Sequence, residues 1–549
     1  MKASDLLVKC LEAEGVEYIF GLPGEENADV MMSLRDSSIP FILCRHEQAA
    51  AFMADAYGRL TGKAAVCLAT LGPGATNLVT GVADANMDRS PMVVLTGQAD
   101  TRRMHKESHQ AMDVIAMFRP ITKWAATIAH PNNIPEVVRK AFKIAEHEKP
   151  GACLIELPED LAHADATTTP IPPLRLRRPA PDHKAVARAV EVIRGAKNPV
   201  ILAGNGAVRK RSSAQLCAFA KKMGIGVINT FMGKGAVPRS SPHCLFTVGL
   251  QARDHVLTAL EEADVVITVG YDLVEYHPSL WNKTGSRQIV HIDFLPAEVD
   301  ENYRIEVELT CDIANALWAL NDAFSDIEEP MHDIGRHARV REKMLADFAE
   351  YKDDKTDGKI KPQKAMWDVR AAMGSSDILL SDVGAHKMWI ARYYQCDEPN
   401  TCLISNGFCS MGFALPGAIA AKMIYPDRRV LAICGDAGVL MNIQDFETAV
   451  RYKSNIVCLI WEDRAYGLIE WKQENQFKTH CDLSFTNPDF VKLAEAFGGA
   501  GFRVKRSVDL RDTLERAFNC GKPALITMDV DYQENIRLSE RLGQIKCTI

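Results

Sequence analysis

Two aspartates follow two apolar segments in the last third of the chain. Asp436 comes directly after the apolar segment 430–434, and Asp463 follows the apolar segment 456–461, 27 residues further on. That spacing fits one strand-helix-strand unit, so both carboxylates are expected at the carboxyl ends of neighbouring parallel strands, where open α/β sheets bind ligands. Carboxylates combined with phosphate oxygens suit Mg²⁺. The pattern indicates a metal-bound diphosphate, and the small residues around Asp436 would let backbone N–H groups approach it: Gly435, Ala437 and Gly438.

Each aspartate also has an ordinary interpretation. A lone Gly-Asp pair commonly caps a helix, and a lone aspartate commonly lies in a turn. The metal interpretation therefore depends on whether other motifs elsewhere in the chain fit the same site.

A glutamate opens a helical pattern near the start of the chain. The short apolar segment 41–44 precedes a stretch rich in small residues, with Glu47 in its first turn and Gly62 at its end, which predicts a strand followed by a close-packed helix with a glycine C-cap. An acid in the first turn of a helix often does no more than complement the helix dipole. The function of Glu47 therefore also depends on its surroundings.

Four further motifs mark strand-to-helix turns. Segments 20–24 and 67–77 each end an apolar run in a turn containing Gly and Pro, and segments 382–389 and 405–412 are similar breaks before the aspartate motif. Each alone is ordinary turn chemistry, and Met411 alone would be interpreted as a core methionine.

Taken together and in this order, the motifs resemble the signature of thiamin-diphosphate-dependent enzymes, in which a Gly-Asp-Gly run is followed by Asn or Asp at the end of the next strand. The resemblance implies that Asp436, Asp463 and the backbone carbonyl of Ala465 bind Mg²⁺. The family has a second glycine where this chain has Ala437. Alanine would be strained there if the position required a positive φ, and would serve if it required only a small side chain; we expect the second.

The same resemblance implies the contacts to thiamin diphosphate. Glu47 hydrogen-bonds N1′ of the aminopyrimidine in a dry pocket, where such a bond is strong. Met411 supports the bend between the two rings, and the carbonyl of Cys409 accepts from the amino group. The other cofactor-binding residues that we predict are Pro23, Gly24, Thr70, Asn77, Gly384, Ala385, His386, Gly435, Ala437, Gly438 and Tyr466.

The resemblance covers the whole chain and narrows to the acetolactate synthases, especially the catabolic kind that works without FAD. His109-Gln110 stands where biosynthetic enzymes have Phe-Gln, and Tyr271-Asp272 replaces a stretch whose arginine helps to hold FAD. The implied reaction condenses two pyruvates to 2-acetolactate with release of CO₂, and FAD is not expected. Gln110 would bind near the acceptor or the intermediate, and His109 either does the same or is a structural histidine.

Alternating strand and helix patterns predict three doubly wound parallel-sheet α/β domains. Their predicted limits are 1–165 for a pyrimidine-binding domain, 185–325 for a central domain and 362–549 for a diphosphate-binding domain. A Pro-rich linker lies between the first two, and a polar stretch between the last two. By resemblance, the site forms between the first domain of one subunit and the last domain of another, which predicts a homodimer and, from two such dimers, a homotetramer. A monomer with an internal site is the alternative.

Composition excludes several other classes. With 549 residues and a net charge of −7, the chain has no basic stripe that would indicate nucleic acid as a partner. Neither a signal peptide nor a stretch of roughly 20 apolar residues is present, so no membrane association is expected. The 15 cysteines show no metal-binding cluster and are interpreted as reduced. We therefore expect a cytoplasmic enzyme.

Other functions stay open at the level of sequence. A 2-oxo-acid decarboxylase would use the same cofactor residues, as would a phosphate-dependent or CoA-dependent acyltransferase. A non-catalytic scaffold is the least expected, since it would have no reason to keep Glu47, Asp436 and Asp463 together.

Overall fold

The computed structural model describes residues 1–174, 178–209, 211–250 and 254–543. Residues 175–177 of the predicted linker and 544–549 of the predicted last domain lie outside the described residues. Within the described ranges the chain forms three six-stranded sheets, and all their strand pairs are parallel. No helix in these ranges is long and apolar enough to cross a membrane.

The N-terminal part of the chain forms the first sheet. Its inner strands are buried along their whole length, as expected for parallel strands covered on both faces. The strands are β1 Ile19–Gly21, β2 Phe41–Leu43, β3 Ala65–Ala69, β4 Met92–Gln98, β5 Trp124–Thr127 and β6 Ala152–Pro158. The helices are α1 Ala3–Glu14, α2 Ala28–Arg35, α3 Glu47–Thr61, α4 Pro73–Met87, α5 Val114–Phe118, α6 Ile134–Glu146 and α7 Glu159–His163.

The second sheet occupies the middle of the chain and has its own apolar core. Its strands are β7 Pro199–Ala203, β8 Gly226–Asn229, β9 Cys244–Thr247, β10 Val265–Val269, β11 Gln288–Asp293 and β12 Ile305–Thr310. The helices of this part, including the long one that leads to the third sheet, are α8 His183–Gly195, α9 Ser212–Met223, α10 His255–Glu262, α11 Ile313–Ala323 and α12 Gly335–Ala349.

The C-terminal part of the chain forms the third sheet. Its strands are β13 Ile378–Ser381, β14 Cys402–Ile404, β15 Val430–Gly435, β16 Val457–Glu462, β17 Ala500–Val504 and β18 Ala524–Asp529. Its helices are α13 Pro362–Ala372, α14 Ala385–Tyr393, α15 Ala414–Ile424, α16 Asp436–Val439, α17 Phe446–Arg451, α18 Gly467–Phe477, α19 Phe490–Ala496, α20 Leu510–Phe518 and α21 Gln533–Gly543.

The first and third sheets have the same topology. Their strand orders are β2-β1-β3-β4-β6-β5 and β14-β13-β15-β16-β18-β17, so each strand of the first sheet has a counterpart in the third. The middle sheet has the order β12-β11-β10-β7-β8-β9. The predicted fold class of three parallel-sheet α/β units is thereby confirmed, whereas the limits of the three domains stay a prediction.

Helices α3 and α15 join the first and third sheets through a common apolar core. Both helices are rich in small residues, which lets them approach closely: a Cβ added at Gly417 would lie 3.3 Å from the Cβ of Ala56. The rings of Phe52 and Phe413 meet edge to face, with their centroids 5.8 Å apart. The start of α3, where Glu47 lies, is therefore fixed relative to the third sheet of the same chain.

A buried arginine ties the third sheet to the middle part of the chain. Arg392 of α14 is only 1% exposed, and its guanidinium donates to both carboxylate oxygens of Asp254 at 2.8 and 2.9 Å. It also donates to Asp347 of α12 at 2.6 Å. One cation thus neutralises two buried carboxylates from two different helices, which is a favourable arrangement only while all three groups are present.

We expect Arg392→Met to destabilise the protein, because Asp254 would stay buried without this counter-charge and Asp347 would keep only its ion pair with Arg541. Removing one partner of a buried ion pair costs about 3–5 kcal/mol, so the first transition in urea should move to a clearly lower concentration. Arg188→Met is the matched control, since Arg188 is half exposed where it pairs with Glu191, and its transition should not move. Equal midpoints for the two variants would show that the buried pair adds nothing to stability.

Candidate active site

The two aspartates lie at the carboxyl ends of neighbouring strands. Asp436 follows β15 as the first residue of α16, and Asp463 follows β16. The two strands pair in parallel, with Gly435 opposite Trp461. Both strands are buried between layers of helices, so their ends form a fixed edge on which the two carboxylates stand together.

Backbone N–H groups hold the carboxylate of Asp436. Its Oδ2 accepts from the N–H of Arg464 at 2.8 Å and from that of Asp463 at 3.2 Å, and its Oδ1 accepts from the N–H of Ala437 at 2.9 Å. The side-chain amide of Asn487 also donates to Oδ2, at 2.8 Å. Asp436 is 1% exposed, so this network fixes a buried carboxylate whose position the sequence alone leaves open.

The second carboxylate lies in a place that disfavours its charge. Burial and, after it, the nearby charge of Asp436 raise the pKa of Asp463 to about 8. A Cβ at Gly467 would overlap Oδ2 of Asp463, so only glycine fits at the start of α18. Two close carboxylates, of which Asp463 has a raised pKa, are a donor set that a divalent cation stabilises, because its charge offsets both burial and repulsion.

A cation held here would need ligands beyond the protein. No group of three or more His, Cys, Asp or Glu side chains within the described ranges is arranged to hold a metal ion. Mg²⁺ commonly binds through one or two carboxylates together with phosphate oxygens and water. The pair Asp436 and Asp463 therefore fits Mg²⁺ that arrives with a diphosphate better than a metal bound by protein side chains alone.

The aspartates open into a pocket with about 530 Å³ of empty space. Of the residues predicted for the metal and the cofactor, those that line it are Gly384, Ala385, His386, Met411, Gly435, Asp436, Ala437, Gly438, Asp463, Ala465 and Tyr466. The lining also contains Gly467, Leu468 and Ile469 of the segment 466–473, which the sequence places at the substrate pocket, and two residues that were not among the predicted site residues, Val383 and Tyr532. Tyr532 comes from the segment before α21 and packs on Trp461, with ring centroids 6.2 Å apart.

A neutral histidine faces this pocket. Burial lowers the pKa of His386 to about 3, so its ring carries no charge at neutral pH. Its Nε2 is buried and has no hydrogen-bond partner within the part of the chain that the structure describes. A Cβ at Gly435 would lie 3.3 Å from the ring, so glycine leaves room beside it. In the tautomer that carries its proton on Nε2, this ring nitrogen would donate to a phosphate oxygen, and such a partner would satisfy it.

Asp382 connects the loop that carries Met411 to the start of α16, where Asp436 lies. Its Oδ1 accepts from the N–H groups of Gly412 and Phe413 at 2.8 and 3.1 Å, and a Cβ at Gly438 would overlap its Oδ2. Burial raises the pKa of Asp382 to about 7. The glycine at 438 is therefore required by close packing, and the loop carrying Met411 is fixed against α16.

Alanine at position 437 is compatible with the backbone. Ala437 lies inside helix α16, and it does not belong to the residues with a positive φ. The departure from the family's glycine therefore causes no strain.

Cys409, in contrast, has a positive φ of +60°. It is not among the described residues that line the pocket. The side chain of Lys387 donates to its Sγ at 3.1 Å.

The predicted residues of the N-terminal part form a second group. Glu47 is 9% exposed, and its Oε2 accepts from the side-chain amide of Asn77 at 3.0 Å. A Cβ at Gly74 would lie 3.5 Å from the Oε1 of Glu47, and a Cβ at Gly72 would lie 2.7 Å from the carbonyl oxygen of Gln110. One turn at the start of α4 thus touches both Glu47 and the segment of Gln110.

The first strand-to-helix turn packs beside this group. A Cβ at Gly24 would overlap the side chain of Thr70, and the hydroxyl of Thr70 donates to Glu26 at 2.9 Å. Around Glu47 several predicted residues are exposed on the surface of the single chain: Pro23, Asn77, His109 and Gln110.

The two groups do not share a pocket within one chain. The described residues that line the pocket of Asp436 and Asp463 all come from the part of the chain after residue 382. Neither Glu47 nor Gln110 is among them. The structure thus brings together the predicted metal and diphosphate residues as one group, and the predicted residues around Glu47 as another.

Three family models match the chain, in order. The N-terminal TPP binding domain of thiamine pyrophosphate enzymes matches residues 1–117, the central domain of these enzymes matches residues 186–320, and their C-terminal TPP binding domain matches residues 382–528. Each model covers most strands of one of the three sheets, which agrees with the matching topology of the first and third.

Relatives match over nearly the whole length. A catabolic acetolactate synthase of Raoultella terrigena is 38% identical over 99% of this chain and 97% of its own. An acetolactate synthase of Bacillus subtilis (strain 168) is 35% identical over 98% of this chain and 95% of its own. A probable acetolactate synthase large subunit of Methanocaldococcus jannaschii is 35% identical over 99% and 94%. The predicted family is confirmed: the chain belongs to the acetolactate synthase family of thiamine pyrophosphate enzymes.

Proposed function

We propose that this protein condenses two molecules of pyruvate to 2-acetolactate and releases CO₂, with thiamin diphosphate and Mg²⁺ as its cofactors. The observation that carries the proposal is the pair Asp436 and Asp463 beside the unsatisfied ring nitrogen of His386, in a chain that aligns with acetolactate synthases along nearly its whole length. We place the reaction in the cytoplasm on the grounds of composition given above.

The residues of the pocket have separate functions in this proposal. The carboxylates of Asp436 and Asp463 and the carbonyl of Ala465 would hold Mg²⁺. His386 and the backbone N–H groups of the loops that line the pocket would bind the diphosphate, and Met411 would support the rings as an apolar contact. When bound, thiamin diphosphate supplies the carbon nucleophile that adds to the ketone of a 2-oxo acid. The remaining residues that we assign to cofactor binding are Pro23, Gly24, Thr70, Asn77, Gly384, Ala385, Cys409, Gly435, Ala437, Gly438 and Tyr466.

Glu47 would hold a proton at N1′ of the aminopyrimidine. Its carboxylate is nearly buried and its Oε2 is oriented by Asn77, so the oxygen is held in place before a ligand arrives. A carboxyl group in a nearly dry site forms a strong charge-assisted hydrogen bond. Gln110, in the segment that packs against the same turn, would orient the second pyruvate by donating from its amide, and His109 would lie beside it.

We infer that the active unit is a homodimer, and we propose a homotetramer built from two such dimers. The group around Glu47 and the pocket of Asp436 are separate within one chain, and the surface around Glu47 is exposed. A second subunit would bring the Glu47 group of one chain to the aspartates of the other.

We also propose that FAD is not required. Tyr271 is 1% exposed and packs against Trp281 within the middle core. Asp272 forms ion pairs with Arg89 at 3.2 Å and with Lys149. The side chains that replace the arginine-containing stretch of the biosynthetic enzymes are thus engaged inside the protein.

The product made from pyruvate tests this function. Purified protein with thiamin diphosphate and Mg²⁺, and without added flavin, should be colourless and should convert pyruvate mainly to 2-acetolactate. Good positioning of the second pyruvate lets carbon–carbon bond formation outrun protonation by water. Acetaldehyde as the main product would favour the decarboxylase alternative, and a product seen only with phosphate or CoA would favour acyl transfer. A yellow protein that loses activity when stripped of flavin would contradict the flavin-independent assignment.

We expect Asp463→Ala to weaken the binding of thiamin diphosphate in the presence of Mg²⁺ by more than about 10-fold, or about 1.4 kcal/mol. The reason is that the cation would lose one of its two carboxylate ligands. Isothermal titration of the metal-free protein with cofactor and Mg²⁺ measures the effect. Asp512→Ala, on the exposed face of α20, is the control and should bind like the wild type. Unchanged affinity in the Asp463 variant would remove this residue from the metal site.

We expect Glu47→Gln to keep the fold and most of the affinity for the cofactor, but to slow exchange of the cofactor's C2 hydrogen for deuterium by about 10²-fold or more, the range typical of general acid–base groups. The amide can still pair with Asn77, but it cannot share a proton with N1′. Quenched exchange followed by NMR measures the rate. Asp29→Asn, on the half-exposed helix α2, is the control. Exchange at the wild-type rate in the Glu47 variant would contradict the assignment.

A further inference from the structure

A segment after α18 runs alongside the loop that holds the second aspartate. Ala465 and Ser484 form an antiparallel bridge. The N–H of Tyr466 donates to the carbonyl of Leu483 at 3.1 Å, and the N–H of Phe485 donates to the carbonyl of Arg464 at 2.9 Å. The segment 483–487 therefore supports the loop after Asp463 from the side. It ends at Asn487, which was not among the predicted site residues.

Asn487 lies between two buried carboxylates. Its Nδ2 donates to Oδ2 of Asp436 at 2.8 Å and to Oε2 of Glu462 at 3.2 Å. The orientation of the amide follows from these neighbours, because an amide oxygen in the same place would face two carboxylate oxygens without a proton between them. The Oδ1 of Asn487 is buried and has no partner among the residues that the structure describes, so the contacts to the two carboxylates are what hold this amide.

Glu462 is a fixed support for the amide. It is the last residue of β16 and is 3% exposed. Its Oε1 accepts from the hydroxyl of Thr527 and from Arg503 at 3.3 Å, and its Oε2 also accepts from Arg464 at 3.3 Å. A carboxylate held from several sides cannot turn away, so it anchors the nitrogen of Asn487 in a position from which that nitrogen reaches Asp436.

The contacts of Asp436 distinguish its two oxygens. Oδ2 accepts three N–H groups, from Asp463, Arg464 and Asn487. Oδ1 accepts one, from Ala437 at 2.9 Å. Since each carboxylate oxygen offers about two lone pairs, Oδ2 is already fully used and Oδ1 keeps the capacity for another partner.

We propose that Asn487 is a positioning residue for the metal site: together with Glu462 it holds Oδ2 of Asp436, so that Oδ1 is presented to the cation. This inference rests on the proposed function, in which Asp436 binds Mg²⁺. Groups that hydrogen-bond to a metal ligand fix its orientation, and their loss commonly weakens metal binding by 10–100-fold. Asn487 itself does not touch the cation.

Metal binding to the purified full-length protein tests this role. Mn²⁺ is titrated into metal-free protein saturated with thiamin diphosphate, and free Mn²⁺ is measured by electron paramagnetic resonance. Asn487→Ala should raise the Mn²⁺ dissociation constant by about 10-fold. Thr486→Ala, at the exposed position next to it, is the matched control and should leave the constant unchanged. Asn487→Ser keeps a donor on a shorter side chain and should also raise the Mn²⁺ dissociation constant. It replaces the alanine variant if that variant does not fold.

The outcomes separate this role from a structural one. Thermal unfolding of the metal-free proteins reports the fold independently of the metal. A folded Asn487 variant with the wild-type Mn²⁺ constant would overturn the inference and leave the proposed function intact, even if its unfolding temperature were lower. Failure of the wild type to bind Mn²⁺ with the cofactor would overturn the proposed metal site, and this inference with it. A raised constant that excess Mn²⁺ overcomes supports the positioning role.

Discussion

The constraint on which the candidate site depends is the proximity of two carboxylates, the buried Asp436 and the half-buried Asp463. Asp436 is held by N–H donors on both of its oxygens, whereas burial and the neighbouring charge of Asp436 raise the pKa of Asp463 to about 8. A divalent cation would offset both the burial and this repulsion. The phosphate oxygens that accompany Mg²⁺ would also give a partner to the buried, uncharged ring of His386 beside the pair. Cofactor and metal would thus bind as one unit.

The surrounding structure serves to keep the two carboxylates where they are. Parallel strands β15 and β16 set their spacing, and the burial of these strands on both faces prevents a shift in register. Glycines are required at the closest approaches: a side chain at Gly438 would overlap Asp382, and one at Gly467 would overlap Asp463. Stability and site geometry have the same origin here, because the sheet that forms the core also determines the position of each ligand.

The sequence predicts the parts of this arrangement that depend on short stretches of chain. Uniformly apolar segments followed by Gly and Asp predict the parallel strands and the aspartates at their ends, and the family resemblance supplies Glu47 far upstream. The sequence does not predict Asn487 or Tyr532 as site residues, because only tertiary packing brings them to the site. Asn487 is 51 residues from Asp436 in the chain, and its type and spacing do not distinguish it from any other loop asparagine. The conformation of position 437 likewise needed the structure, because alanine is compatible with a helix but strained in a left-handed turn.

The packing of the first sheet against the third supports the dimer proposal. Helices α3 and α15 pack these two sheets into one core, so the position of Glu47 relative to the aspartates of the same chain is fixed. Bringing Glu47 to the aspartates of the same chain by moving one sheet against the other would separate the apolar surfaces buried between α3 and α15. A closely packed core resists such a movement. In the proposed dimer, a second copy would be related so that the exposed surface around Glu47 covers the pocket of its partner. Two equivalent sites would then arise from one symmetric contact, as in an isologous interface.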